Sequence, residues 1–314
     1  FFSSLYHLQN SQRLLALNLV IHICTTSALK PNTIMDILFP AIFNIAIEGE
    51  EKDHLVIDKC ASTVLEMSRF ISWKQFFKIM MMIINLLRKS EKKRMLIKFL
   101  HIIFDVLSHF TGISNSLSGD VEEEMIEDKP VETALESSPI AISDLENKIL
   151  PILYKFLVDG NSAKQVIGMP TALAIVKILK ALPKKMAHIE LIKVLAEVTS
   201  HMKSRVQFVR DSTRELLVSI CLSLGPAVSL KPIISSLQKT LVKGYQKHVF
   251  GYTVYMLLEK TIPQLNPGEI DNCIADIVAV LLEGIFGRVA EQKDVSTIAN
   301  SMTEAKHNKE FEAF

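Results

Sequence analysis

The sequence is poor in the residues that end regular structure, with only 11 glycines and 11 prolines among 314 positions. An all-β protein needs a turn after every short strand, so this shortage argues against that class. The formal net charge is only +1, which excludes a strongly basic domain that coats nucleic acid but not a local basic patch. Apolar residues make up 49% of the chain. That fraction excludes a disordered protein and favours a large helical core.

Cysteines are few and far apart: Cys24, Cys60, Cys221 and Cys273 each lie in a separate apolar stretch. Without a C-x-x-C pair or a cysteine and histidine cluster, the spacing suggests neither a zinc site nor a disulfide framework. We predict buried free thiols in a reducing compartment.

Long hydrophobic runs are also missing. The longest uncharged stretches, residues 14–29 and 216–230, are too short and too polar for a membrane span. The chain starts at Phe1 without a visible signal peptide. We therefore expect no membrane partner, and we expect the chain to be part of a longer protein.

Catalytic motifs are absent as well. The sequence contains no G-x-x-x-x-G-K-[ST] phosphate loop, no G-x-G-x-x-G turn, no G-x-S-x-G elbow and no H-E-x-x-H pair. Its nine histidines are scattered singly. The expectation is a protein that is not an enzyme, with no catalytic, cofactor-binding or metal-binding residues and no small-molecule substrate.

The most regular stretch is SRVQFVRDSTRELLVSICLSLGP, residues 204–226. Ser204 and Gln207 have the spacing of a capping box, in which two side chains satisfy unpaired backbone amides at a helix start. Apolar residues then recur at helical spacing, and Gly225-Pro226 predicts the end of the helix. An apolar helix with a Val-Arg pair in its first turns resembles the second helix of a HEAT repeat.

A proline between aliphatic residues recurs three times, at Pro40, Pro151 and Pro232. A proline inside an apolar helix bends it, and HEAT repeats commonly carry such a bend in their first helix. First helices start near positions 33, 73, 144, 185, 230 and 269. The interval from 73 to 144 contains an insertion of about thirty residues. Once this insertion is subtracted, the spacing is about 40 to 47 residues throughout, which is the HEAT or armadillo period.

These patterns predict an all-α fold, an α-solenoid of HEAT- or armadillo-like helical pairs. We assign residues 1–110 and 144–314 to helical repeats of the same solenoid and residues 111–143 to an acidic, flexible insertion. The insertion is rich in Ser, Glu and Asp and lacks a helical period. Two interpretations stay open for it: a solubilising loop, or a docking or phosphorylation segment.

Basic residues cluster at the predicted helix junctions. They could contact phosphates along one ridge without reading sequence. The competing interpretation is structural, because HEAT repeats place a stacking arginine at the position of Arg210 and helix ends attract cations. The candidates for RNA contact are Lys184, Lys185, Lys203, Arg205 and Arg214.

Three segments carry a resemblance to a known family: GMPTALAIVKILKALP (168–183), the 204–226 stretch with its lead-in HMK, and NPGEIDNCIADIVAVLLEGIFGRVAEQK (266–293). They resemble the down-regulated-in-metastasis family, giant HEAT-repeat proteins of the nucleolar small-subunit processome. The resemblance is strongest after Asp144; over residues 1–110 only repeat character carries it.

This resemblance implies a non-catalytic scaffold that supports pre-ribosomal RNA processing and small ribosomal subunit biogenesis in the nucleolus. It implies processome proteins as partners, with pre-ribosomal RNA or a small nucleolar ribonucleoprotein as further ones. The residues alone leave two alternatives open, an importin-type transport receptor and a HEAT scaffold of a phosphatase or kinase.

Overall fold

A computed structural model describes residues 2–26, 29–49, 53–90, 92–113, 138–159, 168–242, 246–287, 302–306 and 309–313. All structural statements below refer to these residues. They are helical and contain no strand. They divide into two compact units, one up to Leu182 and one from Pro183 onward.

The first unit is a stack of helical pairs. Helices α4, α6 and α10 each contact the helix that follows as a partner, namely α5, α7 and α11. The partner helices also contact one another in the order α2, α5, α7, α11. The helices of this unit are α1 (Phe2–Leu5), α2 (Asn10–Thr26), α3 (Pro31–Thr33), α4 (Phe39–Glu48), α5 (His54–Ser68), α6 (Trp73–Lys89), α7 (Lys93–Ile103), α8 (Leu107–Thr111), α9 (Ser138–Asp144), α10 (Leu150–Asp159) and α11 (Gly168–Lys180).

Two of the three predicted proline bends take the form of a widened helical turn. A π-helical segment, Ile34–Leu38, precedes α4 with Pro40, and a second one, Leu145–Ile149, precedes α10 with Pro151. A proline ring clashes with the carbonyl four residues earlier and has no N–H to donate to it. The wider turn accommodates this ring, since its hydrogen bonds run to the fifth residue back. Pro232, in contrast, lies inside a continuous α-helix.

The start of α6 is fixed by the capping box predicted from its sequence. The backbone N–H of Ser72 donates to Gln75 Oε1 at 3.0 Å, and the Ser72 side chain satisfies an amide in the first turn. Directly after this cap, the indole N–H of Trp73 donates to Asp144 at 2.9 Å. The ring of Phe110 stacks on Phe76 at 5.0 Å. The ends of α8 and α9 therefore both lie against the first turns of α6.

Replacing Ser72 with alanine should lower the free energy of unfolding by about 0.5–2 kcal/mol, because a first-turn amide of α6 loses its acceptor. Chemical denaturation followed by circular dichroism measures this change. Ser219→Ala is the matched control, since Ser219 lies exposed within α13 and bonds only a carbonyl of its own helix. Equal effects of the two substitutions would contradict the capping role.

The second unit repeats the same packing. Alternate helices contact each other, α12 with α14 and α13 with α15, and each also contacts the next helix in sequence. Hydroxyl contacts join α12 to α14, where Thr199 Oγ1 lies 2.9 Å from Ser236 Oγ and 3.1 Å from Thr240 Oγ1. The helices of this unit are α12 (Lys184–Ser200), α13 (Gln207–Leu224), α14 (Pro226–Thr240), α15 (Gln246–Thr261), α16 (Ile274–Phe286), α17 (Thr303–Lys306) and α18 (Lys309–Glu312).

The break between α13 and α14 is made by Gly225, whose φ is 89°. A residue with a side chain would be strained in this conformation. Proline then begins α14 at Pro226, where its missing N–H costs no hydrogen bond. The predicted stop at Gly225-Pro226 is confirmed.

The all-α class and the stacked helical pairs predicted from the sequence are confirmed. Residues 114–137 of the predicted acidic insertion lie outside the described residues, while its ends are helical at Thr111 and at Ser138–Asp144. All four cysteines are buried, as predicted. Burial raises the pKa of Cys60 to about 12 and that of Cys221 to about 11. Their thiols are therefore protonated and unreactive at neutral pH.

Candidate functional site

Two arginines of α13 and one glutamate of α17 form a buried charged cluster in the second unit. Arg210, Arg214 and Glu304 have 2%, 3% and 0% of their surface exposed. The Arg210 guanidinium donates to both oxygens of Glu304, at 2.7 and 2.9 Å, and Arg214 Nη2 donates to Oε1 of the same carboxylate. A carboxylate held by two guanidinium groups ties α17 to α13 across 94 and 90 residues of sequence.

Arg210 also shapes the turn that leads into α13. Its Nη1 donates to the carbonyls of Ser204 at 2.9 Å and Arg205 at 3.1 Å, and its Nη2 donates to Gln207 Oε1. The sequence offered a structural role for Arg210 as the alternative to RNA contact. The structure gives Arg210 a structural role, because its guanidinium bonds Glu304 and the turn before α13. The guanidinium thus holds two carbonyls of the turn that leads into α13.

The capping box predicted at Ser204 and Gln207 is not formed. Helix α13 begins only at Gln207, and Ser204 Oγ accepts a bond from the Val206 amide at 3.2 Å. The Gln207 amide group donates to Asp211 Oδ1 at 2.8 Å. Gln207 Oε1 accepts a hydrogen bond from Arg210 instead of from the Ser204 backbone N–H, which a capping box would require.

Arg214 connects α13 to α15 and is not available to a phosphate. Its Nε donates to Thr253 Oγ1 at 3.1 Å, its Nη1 to Asp211 at 2.5 Å, and its guanidinium carbon lies 4.8 Å from the ring centre of Tyr252. With the side chain 3% exposed, the donors are used inside the protein. We withdraw Arg214 from the RNA-contact candidates for this reason.

A second glutamate anchors the end of the described chain. Glu310 of α18 is buried where α15 and α16 each carry a glycine. A Cβ atom added to Gly251 would lie 2.8 Å from Glu310 Oε1, and one added to Gly284 would lie 2.8 Å from Glu310 Cγ. Lys309 covers the ring of Tyr255 at 5.1 Å. The two glycines thus make room for α18 to pack closely on both helices.

The charge state of Glu304 is set by opposing effects. Burial alone would raise the pKa of this carboxyl, but the hydrogen bond from Arg210 and the charge of Arg214 outweigh it and lower the pKa from 4.5 to about 2. A lowered pKa means that folding favours the ionised form. The stabilisation is therefore complete above the unfolded pKa of about 4.5 and is lost as the pH falls towards 2.

We expect the stability difference between the wild type and Glu304→Gln to shrink as the pH is lowered from about 5 to about 2, because protonation removes the charge that glutamine already lacks. Thermal unfolding of both proteins across this range measures the difference. A difference that stays constant with pH would contradict the assignment of an ionised Glu304.

The other four RNA-contact candidates are exposed. Lys184 and Lys185 occupy the first turn of α12, where the helix dipole disfavours cations. Attraction to the helix dipole is therefore not the reason why two lysines stand there. Lys203 and Arg205 lie in the turn that follows the other end of α12. Since 17 residues of helix span about 25 Å, the structure separates the candidates into two pairs rather than one site.

The basic junction near Lys92 also has a structural component. Lys92 Nζ donates to the carbonyls of Ile47 at 2.5 Å and Gly49 at 3.0 Å, so it closes the C-terminal end of α4. A lysine at a helix C-terminus satisfies carbonyls that have no partner within the helix.

Sequence reasoning missed Glu304 and Glu310. Two arginines on the buried side of α13 signal that a carboxylate must be near them, because guanidinium groups are almost never buried unless paired. Nothing in the sequence identifies which of its 34 acidic residues supplies it.

Within the described ranges, no three or more His, Cys, Asp or Glu side chains are grouped to hold a metal ion. None of the helices there is both long and apolar enough to cross a membrane.

Comparison with known proteins relates this chain to one protein family. Residues 159–314 match the sequence model of the U3 small nucleolar RNA-associated protein 20 domain. The protein named U3 small nucleolar RNA-associated protein 20 of Schizosaccharomyces pombe is 26% identical over the whole chain, which covers 13% of that protein. The protein of the same name in Saccharomyces cerevisiae is 25% identical over the whole chain, which covers 12% of that protein.

One structural neighbour is a chain from the solved structure of Kap95p with RanGDP. The alignment covers 96% of the present chain and 36% of the neighbour, with 14% sequence identity and a TM-score of 0.40. A likeness of this size carries no argument for the importin-type alternative.

The chain spans about an eighth of the length of the curated relatives that it matches. The family match includes the helices that build the arginine and glutamate cluster, and both relatives align with the whole length of this chain. The chain belongs to the U3 small nucleolar RNA-associated protein 20 family.

Proposed function

We propose that this chain is a non-catalytic scaffold segment of a small-subunit processome component that acts in the nucleolus. In this role it supports pre-ribosomal RNA processing and small ribosomal subunit biogenesis by contacting processome proteins. The observation that carries the proposal is the end-to-end alignment with two proteins named for their association with U3 small nucleolar RNA. The stacked helical pairs support it, because repeat arrays of this kind work through extended surfaces rather than through a closed active site.

The test is affinity capture of the full-length protein from a nuclear preparation. We expect processome proteins and pre-ribosomal RNA to be recovered. Recovery of neither would overturn the proposal. A small GTPase bound in its nucleotide-dependent form would instead support the importin-type alternative, and copurifying phosphatase or kinase activity would support the enzyme-scaffold alternative.

Direct RNA contact is proposed for Lys184, Lys185, Lys203 and Arg205. Their exposure supports it, and the position of the two lysines at a helix N-terminus removes the dipole as a structural reason for their charge. Contacts of this kind neutralise phosphates without reading bases. They would therefore act through charge and depend on salt.

Replacing these four residues with alanine should weaken crosslinking to pre-ribosomal RNA and leave the unfolding temperature unchanged. Each lost phosphate contact should lower the slope of log affinity against log salt concentration by about 1. Lys30→Ala is the matched control, as Lys30 is an exposed lysine of the first unit. Lower stability with unchanged crosslinking would assign the four residues to packing instead.

A further inference from the structure

The exposed side of α6 in the first unit carries a shallow, open groove, and all of its lining residues belong to this one helix. Its volume is about 440 Å³. Methionine and leucine side chains form most of its surface, and a lysine stands at each end. The groove is lined by Lys78, Met81, Met82, Asn85, Leu86 and Lys89.

The two lysines are aligned along one face of the helix. Lys78 and Lys89 are 11 positions apart, which is slightly more than three α-helical turns, or about 16 Å. Met82 and Asn85 lie between them on the same line, at spacings of four and seven residues from Lys78. Lys78, Met82 and Asn85 are exposed, with Met82 exposed to 37%. A large apolar side chain is thus held at the surface between two cations.

All charged residues of α6 are basic: Lys74, Lys78, Arg88 and Lys89. Within the part of the chain that the structure describes, none of the four forms an ion pair. Another lysine of the first unit does form an ion pair: Lys98 Nζ lies 2.7 Å from the carboxylate of Asp58. The described residues therefore leave the positive charge of α6 without an ion-pair partner.

We propose that this groove is the docking site for an acidic amphipathic helix of a partner protein. Methionine side chains are flexible and polarisable, so they adapt to the apolar side chains of a bound helix. Complementary charge would come from two carboxylates of the partner that are spaced by three helical turns. The partner helix would carry acidic residues at its positions 1 and 12 and apolar residues at positions 4, 5 and 8.

An apolar floor favours a protein over RNA as the occupant. RNA phosphates are attracted by cations but gain nothing from methionine, and single-stranded bases are usually bound on exposed aromatic rings. The groove lining contains no aromatic residue. This inference rests on α6 alone and holds whether or not the chain functions in the processome.

Fluorescence anisotropy with a labelled peptide tests the proposal. The probe is a helix-forming peptide with glutamates at positions 1 and 12 and leucines at positions 4, 5 and 8, and its comparison is a scrambled peptide of the same composition. We expect the 314-residue chain to bind the ordered peptide at least about tenfold more tightly than the scrambled one. Lys78→Glu combined with Lys89→Glu should weaken binding about tenfold or more.

Met82→Ala should also weaken binding, by about threefold or more, because the apolar contact is lost while the charge stays. Lys239→Glu, at an exposed lysine of the second unit, should change it less than about twofold. Circular dichroism and thermal unfolding establish that each variant is folded. A scrambled peptide that binds equally well, or a Met82→Ala variant without effect, would overturn the proposal. A single-stranded RNA oligonucleotide that binds the groove in place of the peptide, and loses affinity in the Lys78→Glu and Lys89→Glu variant, would also overturn it.

Discussion

Replacing Glu304 with alanine should lower the free energy of unfolding of the second unit by about 3–5 kcal/mol. The carboxylate is fully buried and accepts hydrogen bonds from two arginines that are themselves 2% and 3% exposed. Its removal leaves Arg210 buried without its anion and Arg214 with Asp211 as its remaining anionic partner, and desolvation of the uncompensated charge is the dominant cost. Chemical denaturation followed by circular dichroism measures the change.

Glu215→Ala is the matched control, because Glu215 is an exposed glutamate of α13. We expect it to change the free energy of unfolding by less than about 0.5 kcal/mol. Similar values for the two substitutions would contradict the paired burial of Glu304. The units need to be followed separately, since two compact units need not unfold in one transition.

A double-mutant cycle separates the pair from the rest of the cluster. Arg210→Met together with Glu304→Leu should cost less than the sum of the two single substitutions, because neither partner is left as an isolated buried charge. Additive effects would show that Arg210 owes its role to the Ser204 and Arg205 carbonyls rather than to Glu304.

The cluster shows how α17 is attached to α13. The contact is an ion pair between Glu304 and two arginines. Helix α17 has only 4 residues, too few to bury much apolar surface or to be helical alone. Glu304 compensates for this by reaching the first turns of α13.

The helix pairs were predictable because their signals are local. Capping at Ser72 and the stop at Gly225 each involve residues within a few positions of one another, and hydrophobic periodicity marks the helices between them. The proline bends were predictable in position but not in form. Whether a proline is accommodated by a π-turn, as before Pro40 and Pro151, or within a continuous helix, as at Pro232, depends on packing around it.

The candidate site was less accessible to sequence reasoning because its contacts are long-range. Arg210 and Arg214 are one helical turn apart, so the sequence alone makes them look like one basic flank of the helix. In the structure both side chains are buried and bond Glu304, which lies 94 and 90 residues away. The capping box at Ser204 failed for a local reason, because Arg210, only three residues after Gln207, occupies the Gln207 side-chain oxygen. A local pattern predicts a local bond, and a buried guanidinium nearby offers a stronger one.

Replacing Leu217 with alanine should lower the free energy of unfolding by about 2–5 kcal/mol. Leu217 lies in the middle of α13 and is 0% exposed, as is Ile220 one turn later. These side chains belong to the layer through which α13 packs on α14 and α15. Truncation removes buried methyl groups and leaves a cavity that neighbouring helices can fill only in part.

The same position allows a graded test. Leu217→Met keeps most of the volume and should cost less than about 1.5 kcal/mol, while Leu282→Ala, at a leucine of α16 with 42% exposure, should cost clearly less than Leu217→Ala. Chemical denaturation of the three variants gives the order. If Leu217→Ala were no more costly than Leu282→Ala, the buried layer of α13 would not stabilise the second unit. If the order holds, packing of α13 and its ion pair with Glu304 stabilise the same unit by separate means, because truncation at Leu217 leaves the guanidinium contacts of Arg210 in place.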